Sequence, residues 1–315
     1  MSDDDEANQD ELITEEMLWD RIPEVDGAER ASTYYELSAR IYARGQYDDA
    51  LALAETACDI YDGLGANAPS EGLAQAYSAI GYNLNQLKRI DEAASAMSKA
   101  VDILRKNKSP IALELACTLG EWWYSSKNYQ RVIDTMQGCA QEHLVDGNEI
   151  GAANDLHLIG CAYREVKNFD AALASFTDAR ALFKKNREVI HVGRCDQKIA
   201  ACLVELGEGE LALETAQKAI DVFETAHDHR RETFALLEYG KAQILLGKFE
   251  AGLGTLDEVL QAATDEDPKD FELIVDVETR MATVMRTIGR IDEADEIDRR
   301  LVSITEVLND QSEGA

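Results

Sequence analysis

Apolar residues recur at helical spacing along most of the chain, and the runs come in pairs. LHLIGCAYREV over 156–166 sets Leu156, Ile159, Gly160 and Tyr163 on one face, and AALASFTDARALF over 171–183 does the same with Ala172, Phe176 and Ala179. Recurrence three and four residues apart predicts two amphipathic helices. A short polar turn joins them, and the whole pattern repeats. The turn reads GQYDDAL, KRIDEAA, KNYQRVI, KNFDAAL, GEGELAL, GKFEAGL and GRIDEAD, with Tyr47, Ile90, Tyr129, Phe169, Gly209, Phe249 and Ile291 as its third residue. Successive spacings are 43, 39, 40, 40, 40 and 42 residues. A fixed period in this range means stacked supersecondary units, because one helix pair cannot bury its apolar face alone.

The turn residues agree. Gly45, Gly207, Gly247 and Gly289 stand where a first helix ends, and a helix C-terminus often needs the left-handed conformation that glycine accepts. Asp48, Asp91, Asp170, Glu210, Glu250 and Asp292 follow the third turn residue, with Gln130 the exception. A carboxylate there is expected to cap the second helix and meet the positive end of its dipole. Pro110 after Ser109 and Pro268 after Asp267 read as helix starts, Pro69 as a loop, and Pro23 as preceding the first repeat.

By these positions the chain resembles the tetratricopeptide repeat family. The large–large–small–large signature of the first helix falls on Leu156, Ile159, Gly160 and Tyr163, and on Tyr77, Ile80, Gly81 and Leu84. The turn aromatic and second-helix positions fall on Phe169, Ala172, Phe176 and Ala179, and on Tyr47, Ala50, Ala54 and Ala57. The resemblance implies an all-α fold, a right-handed α-solenoid of about seven helix–turn–helix repeats. The period near 40 places it in the long-repeat branch. The fifth repeat departs from the pattern with Asp196 and Gly209, and the seventh with Glu278 and Asp298.

The expected organisation is an acidic disordered tail over 1–16, a short capping helix over 17–30 and the solenoid over 31–308. Its repeats lie near 31–66, 71–107, 110–147, 150–187, 191–228, 231–266 and 269–308, and a flexible end covers 309–315. The tail carries eight acidic and no basic side chains. In the capping helix, Met17, Leu18 and Ile22 are expected to form one apolar side.

Charge narrows the partners. With 31 basic and 61 acidic residues the net charge is −30, which resists nucleic acid and anionic membranes. No stretch approaches the roughly 20 apolar residues of a membrane helix. Six cysteines without a C-x-x-C pair read as buried thiols in a reducing cytoplasm, and no secretory leader is expected. No phosphate-loop, dinucleotide or nucleophile-elbow motif is present, so neither cofactor nor catalysis is expected. His227, Asp228 and His229 form the one close histidine cluster; they read as a solvated loop with Arg230 and Arg231, with no metal expected. Trp122 and Trp123 read as packing residues.

What remains is binding. The resemblance implies that inner positions of the first helices line a concave groove. Carried over, these place Tyr35, Tyr42, Tyr82 and Tyr124 towards its N-terminal half. Arg164, Arg194, Lys198, Lys241, Arg280 and Arg286 fall towards its C-terminal half, with Gln197 and Phe234 among their neighbours. An aromatic shelf followed by a cationic stretch would take a peptide or protein with an acidic segment or a free carboxylate. The competing expectation is that these cations pair with nearby acids. The expected function is a non-catalytic interaction scaffold. The alternative is a peptide-signal receptor resembling the long-repeat bacterial regulators, made less expected because residues 1–30 show no helix-turn-helix effector. The sequence leaves the oligomeric state open.

Overall fold

A computed structural model of the protein describes residues 14–265 and 270–313, with 305–313 described by backbone alone. The acidic tail as far as residue 13, Pro268 and residues 314–315 lie outside the described residues. All regular structure among the described residues is helical. The chain divides into two compact units, Met1–Cys139 and Ala140–Ala315.

The first unit holds α1 (Glu15–Arg21), α2 (Gly27–Ala43), α3 (Tyr47–Leu64), α4 (Ser70–Gln86), α5 (Ile90–Lys106) and α6 (Ile111–Ser125). Helix α7 (Tyr129–Val145) contains the division. The second unit continues with α8 (Glu149–Glu165), α9 (Phe169–Lys185), α10 (Val189–Glu205), α11 (Gly209–Thr225), α12 (His229–Leu245), α13 (Phe249–Asp265), α14 (Phe271–Thr287) and α15 (Ile291–Glu313). Within each unit, consecutive helices pack as antiparallel hairpins, and each hairpin packs on the next, as in an α-solenoid. First helices also touch the next first helix, α2 against α4 and α10 against α12.

Every second helix begins at the third residue of its turn phrase: Tyr47, Ile90, Tyr129, Phe169, Gly209, Phe249 and Ile291. That corrects the capping expectation. The carboxylates Asp48, Asp91 and Asp170 sit inside the first turn, where they meet the dipole, while the cap is the residue before the helix. Asn168 fills that role for α9, its Oδ1 accepting from the Ala171 N–H at 3.3 Å.

The corners share one geometry. Gly207 turns the chain at φ +82°, and Lys88, Lys127 and Lys167 do the same at φ 60–63°. Three residues past the end of each first helix, an N–H reaches back five positions: Asn168 to the Tyr163 carbonyl at 2.9 Å, Glu208 to Leu203 at 2.9 Å, Arg290 to Met285 at 2.8 Å. This is the Schellman arrangement, which satisfies carbonyls the helix leaves open. Four of the loops between repeats use it too, for example with His227 at φ 55° and Asp228 bonding back to Phe223 at 2.9 Å, whereas the α3–α4 loop forms a short 3-10 turn over Gly65–Asn67.

Small residues set the helix spacing. The ring of Phe176 lies against Gly160, where an added Cβ would come within 2.8 Å of it. Met136 fills the same place over Gly120, and Ser38 instead donates its hydroxyl to the Ala50 carbonyl at 2.7 Å. Phe176, Phe183 and Phe223 are sealed from solvent, each burial stabilising by about 1.5–3 kcal/mol. Trp122 and Trp123 are both buried, as expected of packing residues. In α1 only Leu18 is buried; Met17 is exposed, so the expected apolar side is narrower.

The second unit buries one carboxylate on each of its first helices: Asp155, Asp196, Glu238 and Glu278. Each has a cation. Asp155 Oδ2 lies 2.7 Å from His143 Nδ1, and Arg180 donates to Asp196 at 2.7 Å. Lys241 donates to Glu238 at 3.1 Å, and Arg300 to Glu278 at 2.9 Å. The departures noted at Asp196 and Glu278 are thus paired acids.

Candidate functional site

In the first unit, the four tyrosines are largely engaged. Tyr42 accepts a hydrogen bond from Gln86 Nε2 at 3.1 Å, which ties α2 to α4, and meets the Tyr47 ring edge-on. Tyr82 stands edge-on to Trp122 of α6, ring centroids 5.5 Å apart, and keeps 36% of its surface exposed. Tyr124 meets Tyr129 of its own hairpin at 5.6 Å. Tyr35 packs against the core around Ala31, Ala57 and Tyr61. Tyr42 and Tyr82 thus bridge successive first helices, whereas Tyr35 and Tyr124 pack within their own surroundings.

The six cations of the second unit separate into two groups. Four are held by acids. Arg280 Nε donates to both Asp276 oxygens at 3.0 and 3.1 Å. Lys241 lies between Glu238 and Asp276, the latter at 3.7 Å. Arg286 is paired with Asp298 and lies 3.6 Å from Asp295, and Arg164 donates to Glu165 at 3.0 Å. Arg194 and Lys198, one turn apart on α10, have no ion-pair partner among the described residues. Both line a cavity of about 450 Å³ between α10 and the start of α12.

The cavity also takes in Gln197 and Phe234, both anticipated as inner positions, and Phe223, Arg230 and Arg231, which were not. The two arginines read as a loop because they follow His229, but α12 starts at that histidine and carries them in its first turn. The histidine cluster resolves into corner roles. His227 takes the left-handed turn, Asp228 caps α12 by accepting from the Arg231 N–H at 3.2 Å, and His229 lies 3.2 Å from Glu232.

Electrostatics on this side are unusual for so acidic a chain. Burial, followed by the charges of Arg194 and Lys198, pushes the His157 pKa down to about 3. Burial and then Arg164 lower that of Lys198. Burial raises the thiols of Cys161, Cys195 and Cys202, so they remain protonated and unreactive at neutral pH.

No protein-family model and no curated protein matches the sequence. Among solved structures, a signal-transduction ATPase with numerous domains and a tetratricopeptide repeat sensor, from Pyrococcus horikoshii, matches with a TM-score of 0.65 at 17% identity over 94% of this chain. The chain has a tetratricopeptide-like fold. It spans 45% of the length of that ATPase. The tetratricopeptide-like chain also matches the apo quorum sensor NprR from B. thuringiensis, with a TM-score of 0.54 and 11% identity over 92% of both chains. A third match is the Rap conjugation gene regulator of plasmid pLS20, solved in complex with a Phr peptide: TM-score 0.53, 14% identity, 90% of this chain and 75% of that one. No described helix is long and apolar enough to cross a membrane.

Proposed function

We propose that the protein is a non-catalytic binding module that holds a peptide or a segment of a protein partner along its first helices. The observation that carries this reading is the pair Arg194 and Lys198, which face a cavity without an ion-pair partner while the neighbouring cations are neutralised. The acidic surface repels anions at long range, but that field is screened beyond about 8 Å at physiological salt, so the local pair governs docking. Tyr42 and Tyr82 supply aromatic surface to the first unit's own first helices. Crosslinking with mass spectrometry in the native cell tests the reading. Partner crosslinks are expected on α10 and α12 and are lost in Arg194→Glu/Lys198→Glu; capture unchanged by that variant sinks it.

Likeness to NprR and to a Rap regulator bound to a peptide supports a narrower form, a peptide-signal receptor. A short peptide that compacts the chain in small-angle scattering favours the receptor. A stable folded partner without compaction favours the scaffold.

A further inference from the structure

Four cations from two successive first helices converge on the cavity at α10 and α12. Arg194 and Lys198 enter from α10, and Arg230 and Arg231 from the first turn of α12. Asp228 is the carboxylate among the lining residues, and it is occupied: it accepts from the Arg231 N–H at 3.2 Å and holds the Arg231 guanidinium. Arg230 lies 3.9 Å from Asp270. Glu238 reaches Lys198 only through its field, since its Oε1 already accepts from Lys241 at 3.1 Å. On α8, His157 Nε2 is buried without a hydrogen-bond partner, and its ring adds no charge at neutral pH.

Part-buried cations without a counter-charge are costly and mark a place where an anion is stabilised. The charge count decides which anion. A carboxylate brings one negative charge against the two unpaired cations. A phosphomonoester brings about −1.5 to −2 at neutral pH and three acceptor oxygens, enough for an arginine fork and a lysine point charge together. The first turn of α12 adds the positive end of its dipole. Phe223 and Phe234 call for an apolar body attached to the anion. The volume falls within the roughly 300–1,000 Å³ usual for small-ligand sites.

We propose that this cavity binds a phosphomonoester dianion carried on an apolar or aromatic body, with Arg194 and Lys198 as its principal ligands. The inference deepens the binding-module reading and rests on it only for the source of the ligand, a phosphorylated side chain or a free organic phosphate.

The full chain is titrated calorimetrically with phenyl phosphate, inorganic phosphate and benzoate at matched ionic strength. Phenyl phosphate is expected to bind at least about tenfold more tightly than benzoate. Arg194→Met and Lys198→Met are each expected to weaken it by about tenfold. Phenyl phosphate binding no tighter than benzoate, or as tight in both variants as in the parent, overturns the site. Should a variant unfold, NMR mapping on the parent chain decides: phenyl phosphate must shift the Phe223 and Phe234 rings, and shifts confined elsewhere overturn it. Phosphotyrosine peptides with unphosphorylated twins then separate the sources. Retention of the phosphorylated members alone assigns a protein source. Phenyl phosphate binding without peptide retention keeps the site and sinks the protein-partner reading. Crosslinks on α10 without phenyl phosphate binding do the reverse.

Discussion

Arg180 of α9 donates through Nη1 to Oδ1 of Asp196 on α10 at 2.7 Å, and this contact explains how an acid occupies a position where a large apolar residue was expected. Asp196 is 5% exposed, so losing its cation leaves a buried carboxylate unpaired. Arg180→Met is expected to cost about 2 kcal/mol by denaturant unfolding, reduced from the fully buried case because the arginine is partly solvated. The double variant Arg180→Met/Asp196→Leu should recover most of that loss. A single variant as stable as the parent would show that the pair contributes nothing.

Gly160 and Gly254 make opposite predictions from the same substitution. At Gly160 a methyl would press on the Phe176 ring at 2.8 Å, and that ring is sealed in the core. Overpacking costs about 1–3 kcal/mol, more than the roughly 1 kcal/mol alanine gains in a helix. Gly254 lies exposed in α13 with nothing within 4 Å of an added Cβ. Gly160→Ala should therefore lower the melting temperature and Gly254→Ala raise it.

The corner at Lys167 invites improvement. It holds a lysine at φ 60°, and the side chain is exposed. Left-handed backbone costs a residue with a Cβ roughly 1–2 kcal/mol, partly offset by the extra unfolded-state freedom glycine brings. Lys167→Gly should stabilise by about 0.5–1 kcal/mol, while Gly207→Ala should destabilise by a similar amount. Thermal unfolding of the two variants checks the sign.

His157 ties stability to pH. Its folded-state pKa is pushed down to about 3 by burial and then by Arg194 and Lys198, against about 6.5 in an unfolded chain. The unfolded state therefore binds a proton first as pH falls. The contribution is fully present above about 6.5 and is lost on acidification towards 3, at up to about 1.4 kcal/mol per pH unit. Unfolding midpoints between about pH 6.5 and 5, above the carboxylate range, should slope less in His157→Gln. Equal slopes would place the proton elsewhere.

Much of this fold is legible in the sequence because its rule is local. Apolar spacing places the helices, and the third turn residue marks the start of all seven second helices. Ion pairing is less legible because helix stacking joins distant residues, such as Arg180 with Asp196 or Glu278 with Arg300. Some of it was nonetheless in reach. Glu238 and Asp276 stand one turn before Lys241 and Arg280, the spacing at which helical side chains meet. Arg194 has Lys198 in that place. That spacing identifies Lys241 and Arg280 as paired, whereas the partners of Arg164 and Arg286 lie at other separations, so it does not by itself single out Arg194 and Lys198.

The four buried acids of the second unit have a consequence for assembly. Similar corners give the hairpins similar backbones, so side chains must help to distinguish one neighbour from the next. Two of the acids, Asp155 and Asp196, act as addresses between hairpins. Asp155 meets His143 of the preceding helix, Asp196 meets Arg180, Glu238 its own Lys241, and Glu278 the arginine of the helix after it. A hairpin that carries Asp155 or Asp196, seated on the wrong neighbour, strands a buried carboxylate. Misordered stacking is thereby penalised at the two junctions where the acid's partner belongs to the preceding hairpin, α7 to α8 and α9 to α10.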